Sequence, residues 1–293
     1  YEFWSNFLHI LKHRNIPTYS VSSIFREDQV FFKWYGRSYA GVLKCFTRFF
    51  VQNEESKRLL DGIGITAVDV VGDTRFDRVL QIKEAAKQLP ICEAFRTGVA
   101  SSQSADVPHH DFKVFVAGSS WPPDENIFIP FFNEHKDWRL LIAPHVIAEE
   151  HLKLILSLIK GKKVVRYTQT TPEEAAEADV LIIDCFGLLS SMYNYGDVAY
   201  IGGGFGVGIH NTLEAAVWNM PVIFGPNNKK FQEAQGLLKS DGGFEINTNE
   251  DFSGLMSSLM NDEAFLKQAG DKAGAFVAHL AGATDKVLAS VKL

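Results

Sequence analysis

Residues 200–214 read YIGGGFGVGIHNTLE, a short apolar strand that runs into a glycine-rich turn and then opens directly onto a helix. Glycines let a backbone approach a ligand or another backbone closely, and the first turn of a helix offers free N–H groups to an anion. The turn matches neither the dinucleotide-binding pattern nor the P-loop, and it contains no lysine for a terminal phosphate. Two interpretations of Gly203 and Gly204 therefore stay open, an anion-binding loop and a tight strand-to-helix turn.

Short apolar segments rich in Val and Ile alternate with helical patterns on both sides of this turn. Strands that are buried on both faces of a parallel sheet have this appearance, because helices cover both faces. The alternation predicts a doubly wound parallel α/β sheet. The predicted strands are 113–117, 138–143, 163–167, 180–183, 198–201, 221–224 and 244–246.

The first third of the chain repeats the alternation on a smaller scale. We predict strands at 18–21, 48–51 and 68–71, a helix from residue 54 that Asn53 caps, and a long aromatic helix over 31–46. The stretch 89–110 is polar and aperiodic, which is typical of a linker. The sequence thus predicts an incomplete α/β domain at 1–88, a linker at 89–110 and a second α/β domain at 111–293.

Composition narrows the possible classes of protein. The 293 residues are 46% hydrophobic and 22% charged, a globular composition, with three cysteines that are too far apart for a disulfide framework or a cysteine zinc site. The net charge of −6 disfavours nucleic-acid binding, which needs a basic face. The chain contains no HExxH or GxSxG motif, so zinc-dependent and serine hydrolysis have no support.

Basic residues are concentrated at the start of the chain, where residues 1–60 hold nine Lys and Arg against five Asp and Glu. Lys33, Arg37, Lys44 and Arg48 have spacings that would align them on one face of the predicted aromatic helix. A solvated helix face is one interpretation. We favour the other, a basic and aromatic surface that contacts an anionic membrane.

Several polar residues at strand ends have two possible roles each. Glu214 can form a capping box with Asn211, or its carboxylate can accept hydrogen bonds from a ribose diol. Ser119 and Ser120 can bind a phosphate or cap the next helix. His145 follows a predicted strand at the edge where α/β sheets bind ligands, although a lone histidine is most often a surface residue.

Taken together, these segments resemble the 3-deoxy-D-manno-octulosonic acid (Kdo) transferases of lipid A biosynthesis. The likeness is ordered and extends over nearly the whole chain. The segments that carry it are YEFW (1–4), VSSIFR (21–26), FFKWY (31–35), FVQ (50–52), GDTRFD (72–77), AGSS (117–120), DCFGL (184–188), GGGF (202–205), HNTLE (210–214) and PVIFGP (221–226).

The resemblance implies a GT-B fold, an α/β architecture of two Rossmann-like doubly wound domains, of which the N-terminal one is incomplete in this chain. Residues 1–88 would belong to the acceptor domain and residues 111–293 would bind CMP-Kdo. Kdo transferases are inverting enzymes that move Kdo from CMP-Kdo to a sugar hydroxyl of a lipid A precursor, without a metal or other cofactor, at the cytoplasmic face of the bacterial inner membrane. The alternatives are a sugar-nucleotide epimerase of the same fold and a non-catalytic nucleotide-sugar-binding module.

The resemblance also implies site residues. Glu2 and Arg75 would support the transition state, and the family's general base would precede Tyr1, so we expect this chain to bind CMP without transferring Kdo. The chain has Pro144-His145-Val146 where the family often has Pro-Arg-His. With the serines and glycines above, the predicted nucleotide contacts are Ser119, Ser120, Pro144, His145, Phe186, Gly187, Leu188, Gly203, Gly204, Asn211, Thr212, Leu213 and Glu214.

Overall fold

A computed structural model of the chain describes residues 3–99 and 112–291. It divides into two compact units, one formed by the chain up to Arg78 together with the chain from Leu280 onward, and the other by Val79–His279. Glu2 and the second half of the predicted linker, residues 100–110, lie outside the described residues. Within the described residues, no helix is both long and apolar enough to cross a membrane.

The first unit is built on a small parallel sheet in the order β1-β2-β3. Its strands are β1 (Tyr19–Ser23), β2 (Arg48–Val51) and β3 (Val68–Val70), and its helices are α1 (Ser5–His13), α2 (Arg37–Leu43), α3 (Glu54–Gly62), the start of α4 (Thr74–Glu84) and α14 (Ala283–Ser290). Asn53 caps α3 by accepting the N–H of Ser56 at 2.9 Å, as predicted. The three strands match the predicted strands closely.

The long aromatic helix predicted over 31–46 is wrong. Two short 3-10 turns, Val30–Phe32 and Trp34–Gly36, precede α2 in its place. Gly36 explains the break, because a Cβ atom there would lie 1.6 Å from the carbonyl oxygen of Val30. A continuous helix would not bring these two backbone segments together.

The basic stripe predicted on that helix is therefore wrong as well. Lys33 lies between the two 3-10 turns, and Lys44 is exposed just after α2. Arg48 belongs to β2, where its guanidinium forms an ion pair with Asp69 at 2.6 Å. The basic residues of this region are thus distributed over turns, a helix end and a strand.

The second unit holds a seven-stranded, wholly parallel sheet in the order β10-β9-β8-β4-β5-β7-β6. Its strands are β4 (Lys113–Ser120), β5 (Trp138–Pro144), β6 (Val164–Arg166), β7 (Val180–Ile182), β8 (Val198–Ile201), β9 (Val222–Phe224) and β10 (Gly243–Glu245). All seven predicted strands are present. The predicted doubly wound parallel sheet is confirmed.

Helices precede, connect and follow the strands of this sheet. They are α5 (Pro90–Thr97), α6 (Pro122–Glu134), α7 (Glu149–Leu158), α8 (Pro172–Ala176), α9 (Leu189–Met192), α10 (Leu213–Ala216), α11 (Gln232–Lys239), α12 (Asn249–Asn261) and α13 (Glu263–Leu280). Large apolar side chains such as Phe115, Phe128, Tyr200 and Phe252 are fully buried between sheet and helices. This packed layer fixes the strand ends that carry the candidate site.

The two compact units end at different residues from the predicted domains. Residues 90–97, predicted as linker, form α5, in which Cys92 and Phe95 are fully buried. The sequence did not predict this helix, because its apolar face is short and the residues that follow it are polar. The last helix, α14, belongs to the first unit, because Val287 packs in its core with Phe50 and Val71.

Candidate functional site

The candidate site lies at the carboxyl ends of β4 and β8, where the strand order changes direction. Strands β5, β6 and β7 lie on one side of β4, and strands β8, β9 and β10 lie on the other. Doubly wound sheets bind ligands outside the carboxyl ends of their strands at such a switch point. The ends of β4, β5 and β8 hold or precede most of the predicted contacts: Ser119, Ser120, Pro144, His145, Gly203, Gly204, Asn211, Thr212, Leu213 and Glu214.

The glycine-rich turn after β8 packs directly against neighbouring backbone. A Cβ atom on Gly202 would lie 2.1 Å from the carbonyl oxygen of Ser119, and one on Gly204 would lie 2.5 Å from the amide nitrogen of Gly225. Gly203 has a φ of 92°, a left-handed conformation that other residues rarely adopt. The interpretation as a tight turn explains these glycines, and a nucleotide contact at Gly203 and Gly204 stays a prediction.

Asp124, near the start of α6, ties this turn to the end of β4. It is buried, and its Oδ2 accepts the backbone N–H groups of Trp121 and Gly203, both at 2.9 Å. Its Oδ1 accepts the hydroxyl of Tyr200 at 2.8 Å. Burial raises the pKa of Asp124, while these three hydrogen bonds act to lower it. Because the N–H of Gly203 is bound to Asp124, it does not serve an external anion.

Glu125 stabilises the loop that follows β5 through Ser120 and His151. Its carboxylate accepts the hydroxyl of Ser120 at 2.8 Å and lies 2.9 Å from Nε2 of His151. Nδ1 of His151 lies 2.8 Å from the carbonyl oxygen of Val146, and since a carbonyl only accepts, Nδ1 carries a proton. Burial raises the pKa of Glu125 against the opposing effect of these partners. The network holds the loop that carries His145.

The same network corrects the role predicted for Ser120. Ser120 is fully buried, and its hydroxyl binds Glu125 rather than facing the sheet edge. Thr212 and Leu213 are fully buried too, so their side chains belong to the interior. The sequence correctly predicted that Ser120, Thr212 and Leu213 lie at the carboxyl edge of the sheet. It could not predict that their side chains point into the interior, because position along the chain does not give the direction of a side chain.

Asn211 and Glu214 interact, although not as the predicted capping box. Helix α10 begins at Leu213, whose N–H is accepted by Asn211 Oδ1 at 3.1 Å. Asn211 Nδ2 donates to Glu214 Oε1 at 3.0 Å, a bond between two side chains. Burial raises the pKa of Glu214, and the bond from Asn211 opposes that shift. Within the described residues, Glu214 Oε2 has no hydrogen-bond partner.

Trp121, His145 and His210 form a ring stack at the centre of the site, in which His145 lies against the other two rings. The centroids of Trp121 and His145 are 4.6 Å apart, and those of His145 and His210 are 4.4 Å apart, with interplanar angles of 24° and 25°. Trp121 Nε1 donates a hydrogen bond to His210 Nε2 at 3.2 Å. Burial and the neighbouring His145 lower the pKa of His210, which Asp124 opposes.

The segment 186–188 follows β7 on the same edge of the sheet. The Phe186 side chain is 82% exposed, and Gly187 has a φ of 82°. The next residue, Leu189, begins α9 and lies against β4, since a Cβ atom on Gly118 would be 3.0 Å from its side chain. An exposed ring at this position is available to stack on a planar ligand.

A pocket opens beside the ring stack. Its walls are almost entirely apolar and include Trp121, Pro123, Gly203, Phe205 and Val207. Trp121 thus borders both the pocket and the histidine pair. Among residues 3–99 and 112–291, no group of three or more His, Cys, Asp or Glu side chains could hold a metal ion.

Arg75, the other predicted catalytic residue, lies in the first unit. Asp73 is buried and accepts both the backbone N–H of Arg75 at 2.9 Å and its guanidinium at 2.8 Å. Asp77, two residues further along, accepts the N–H of Thr284 at 2.7 Å at the start of α14. The acidic residues of the GDTRFD segment therefore hold the arginine and the last helix. Glu2 lies outside the described residues.

The sequence of the first unit matches a known family. Residues 1–78 match the family model described as 3-deoxy-D-manno-octulosonic-acid transferase (kdotransferase). The 3-deoxy-D-manno-octulosonic acid transferase of Rickettsia prowazekii (strain Madrid E) is 26% identical over 234 residues, which are 77% of this chain and 47% of that protein. The chain is related to the Kdo transferases. The resemblance found in the sequence is thereby confirmed.

A second Kdo transferase, from Aquifex aeolicus (strain VF5), is 31% identical over 159 residues, 52% of this chain and 43% of that protein. This chain spans about half the length of the curated Kdo transferases it matches. Among solved structures, the UDP-GlcNAc 2-epimerase from Neisseria meningitidis bound to UDP-GlcNAc has a TM-score of 0.60 at 14% identity, over 97% of this chain and 72% of that one. This likeness confirms the predicted GT-B fold.

Proposed function

We propose that this chain provides the CMP-Kdo-binding domain of a Kdo transferase, an enzyme that moves Kdo from CMP-Kdo to a hydroxyl of a lipid A precursor. The observation that carries the proposal is the 26% sequence identity to a named Kdo transferase over 77% of the chain. The site at the switch point supports it, because that edge is where α/β sheets bind nucleotides. A noncatalytic module and an epimerase are alternatives that share this fold.

The donor nucleotide would bind along the carboxyl edge of the second unit. Glu214 Oε2 has no partner within the described residues, so the Glu214 carboxylate can accept the ribose hydroxyls. Phe186 offers an exposed ring beside the cytosine base. His145 is exposed at the end of β5, where it can approach the phosphate. Together these side chains provide contacts for each part of CMP.

Glu2 and Arg75 would act on the transferring group. Asp73 orients the guanidinium of Arg75, and an oriented guanidinium suits a departing phosphate through charge-assisted hydrogen bonds. The proposed reaction needs neither a metal nor another cofactor. Transfer in the presence of a chelator, at a rate equal to that without it, is the expected result.

The acceptor is a lipid, so we propose that the first unit contacts the anionic cytoplasmic face of the bacterial inner membrane. Exposed aromatic side chains support this, since large apolar rings on a surface mark an interaction site. They lie in or next to α1, the second 3-10 turn and α2. The rings of Phe3, just before α1, and Phe46, just after α2, are 5.3 Å apart. The exposed rings are Trp4, Phe7, Trp34, Tyr35 and Tyr39.

A transfer assay tests the proposed activity. The product of the whole open reading frame is incubated with CMP-Kdo and a lipid A precursor, and both CMP release and Kdo on the acceptor are measured. Equal amounts of both products are expected. CMP release without acceptor modification would contradict the proposal, and conversion of a UDP-sugar would favour the epimerase.

A further inference from the structure

The stack of Trp121, His145 and His210 contains one hydrogen bond that constrains a proton. The indole Nε1–H of Trp121 points at Nε2 of His210, 3.2 Å away. An indole nitrogen can only donate, so Nε2 of His210 must accept and cannot carry a proton. A neutral His210 then carries its proton on Nδ1.

The surroundings of His210 keep the ring neutral. The ring is partly buried and the His145 imidazole stacks on it at 4.4 Å, and both features disfavour a positive charge on His210. Asp124 is the carboxylate that opposes this effect, but its oxygens already accept three hydrogen bonds. The structure gives Nδ1 of His210 no partner within the described residues.

The geometry points to a positioning role for Trp121. We propose that Trp121 fixes His210 as the Nδ1–H tautomer, so that Nδ1 donates a hydrogen bond to a phosphate oxygen of the bound nucleotide. The proposal rests on nucleotide binding at this edge, as proposed above. Glu214, four residues after His210, carries a carboxylate that would repel a phosphate. In this arrangement His210 contacts the phosphate and Glu214 contacts the ribose.

The first test measures the tautomer without any ligand. In the full chain labelled with ¹⁵N-histidine, long-range ¹H–¹⁵N spectra at pH 7 should show His210 as the neutral Nδ1–H form, with the signal assigned by its loss in His210→Asn. Trp121→Phe keeps a ring against His145 but removes the N–H, so His210 should gain Nε2–H character. An Nε2–H or protonated His210 in the wild type, or no change in Trp121→Phe, would overturn the role of Trp121.

The second test separates phosphate from nucleoside binding. Calorimetry with CMP should show a loss of affinity of at least about tenfold in His210→Ala, the size of one hydrogen bond to a charged group. The loss in Trp121→Phe should be smaller, about fivefold, because part of the His210 population keeps the Nδ1–H form. Affinity for cytidine should stay unchanged in both variants. His210→Asn places an amide N–H near the position of Nδ1, so it should retain most of the CMP affinity.

Trp218→Phe is the matched control for this test. Trp218 also donates an indole hydrogen bond within the second unit, to the carbonyl oxygen of Ser190 at 3.2 Å. Loss of this hydrogen bond should leave the ratio of CMP affinity to cytidine affinity unchanged. Equal losses for CMP and cytidine in Trp121→Phe would overturn the phosphate contact. If the wild type bound no CMP, the proposed function and the phosphate contact would both fail, and the spectra would still decide the role of Trp121.

Discussion

Glu214 illustrates how a single side chain can have one structural and one functional oxygen. Oε1 accepts the Asn211 side chain at the start of α10, and Oε2 has no partner within the described residues. The sequence alone left helix capping and ribose binding equally open. The two roles use different atoms, so they are separable by a substitution that keeps an oxygen for Asn211.

Glu214→Gln is that substitution. Gln retains an acceptor for Asn211, so the melting temperature should barely change. Loss of the carboxylate should weaken two hydrogen bonds to a ribose diol, each worth about 1.5–3 kcal/mol with a charged acceptor. Calorimetry should therefore show CMP affinity lowered at least about tenfold, with Glu250→Gln on α12 as an exposed control. Equal CMP affinity would leave Glu214 with the structural role alone.

At the residue scale, the sequence predicted which residues lie at one edge of the sheet, but not the buried carboxylates that hold their loops. Strand ends and a glycine-rich turn are local patterns, so His145, Gly203 and Glu214 could be placed at one edge. Asp124 and Glu125 were missed because their partners come from other strands and helices. Two adjacent acidic residues in the first turn of a helix that follows a strand were the signal, but helix capping explains that pattern equally well.

At the scale of elements, strands were predicted more accurately than helices. A strand buried on both faces of a sheet has a continuous apolar run, and that run has clear ends. The prediction of one long helix over 31–46 was wrong because the spacing of aromatic and basic residues in this region also suits a helix. The close approach of Gly36 to Val30 is a contact within the fold, and a helical pattern carries no signal for it.

The lysines and exposed aromatic rings of the first unit predict that it binds anionic vesicles. Lys33 and Lys44 lie next to the 3-10 turn and the helix that expose Trp34 and Tyr39, and no ion pair is present for either lysine within the described residues. Each basic residue near an anionic membrane contributes about 1 kcal/mol. Lys33→Glu/Lys44→Glu should therefore lower binding to anionic vesicles by more than about tenfold, with a smaller difference at high salt.

A matched double variant controls for total charge. Lys153 and Lys160 are exposed on and just after α7 in the second unit, so Lys153→Glu/Lys160→Glu makes the same charge change away from the aromatic surface. Vesicle co-sedimentation should be nearly normal for this control. Equal losses in both double variants would show an effect of net charge, and unchanged binding in the first would mean a solvated surface.

At the scale of the whole molecule, Asp77 in α4 attaches the last helix, α14, to the first unit. Its carboxylate accepts hydrogen bonds from the backbone of Gly282 and from the N–H and hydroxyl of Thr284, at the start of α14. A carboxylate suits the N-terminus of a helix, where unpaired N–H groups meet. The sequence could not predict this contact, because 205 residues separate Asp77 from Gly282.

This contact predicts a dependence of stability on pH. Burial acts to raise the pKa of Asp77, but the hydrogen bonds from Gly282 and Thr284 outweigh it and hold the pKa below its ordinary value. A lowered folded-state pKa stabilises the protein above the unfolded-state pKa, about 4, and the gain is lost as pH falls through the folded value. Asp77→Asn should lower the free energy of unfolding by about 2 kcal/mol at pH 7.

Urea denaturation at several pH values checks this prediction. The difference between wild type and Asp77→Asn should shrink as the pH falls below about 4, because the wild-type carboxyl becomes neutral as well. Asp61→Asn, an exposed carboxylate at the end of α3, is the control and should change little at any pH. A difference that stays constant with pH would show that the charge of Asp77 is not what attaches α14.

The central claim is that the carboxyl edge of the second unit binds a cytidine nucleotide. Titration calorimetry of the full 293-residue chain with CMP, and separately with UDP, tests it most directly. One CMP should bind per chain, at least about tenfold more tightly than UDP. Binding of UDP in preference to CMP, or no CMP binding by the folded chain, would contradict the account.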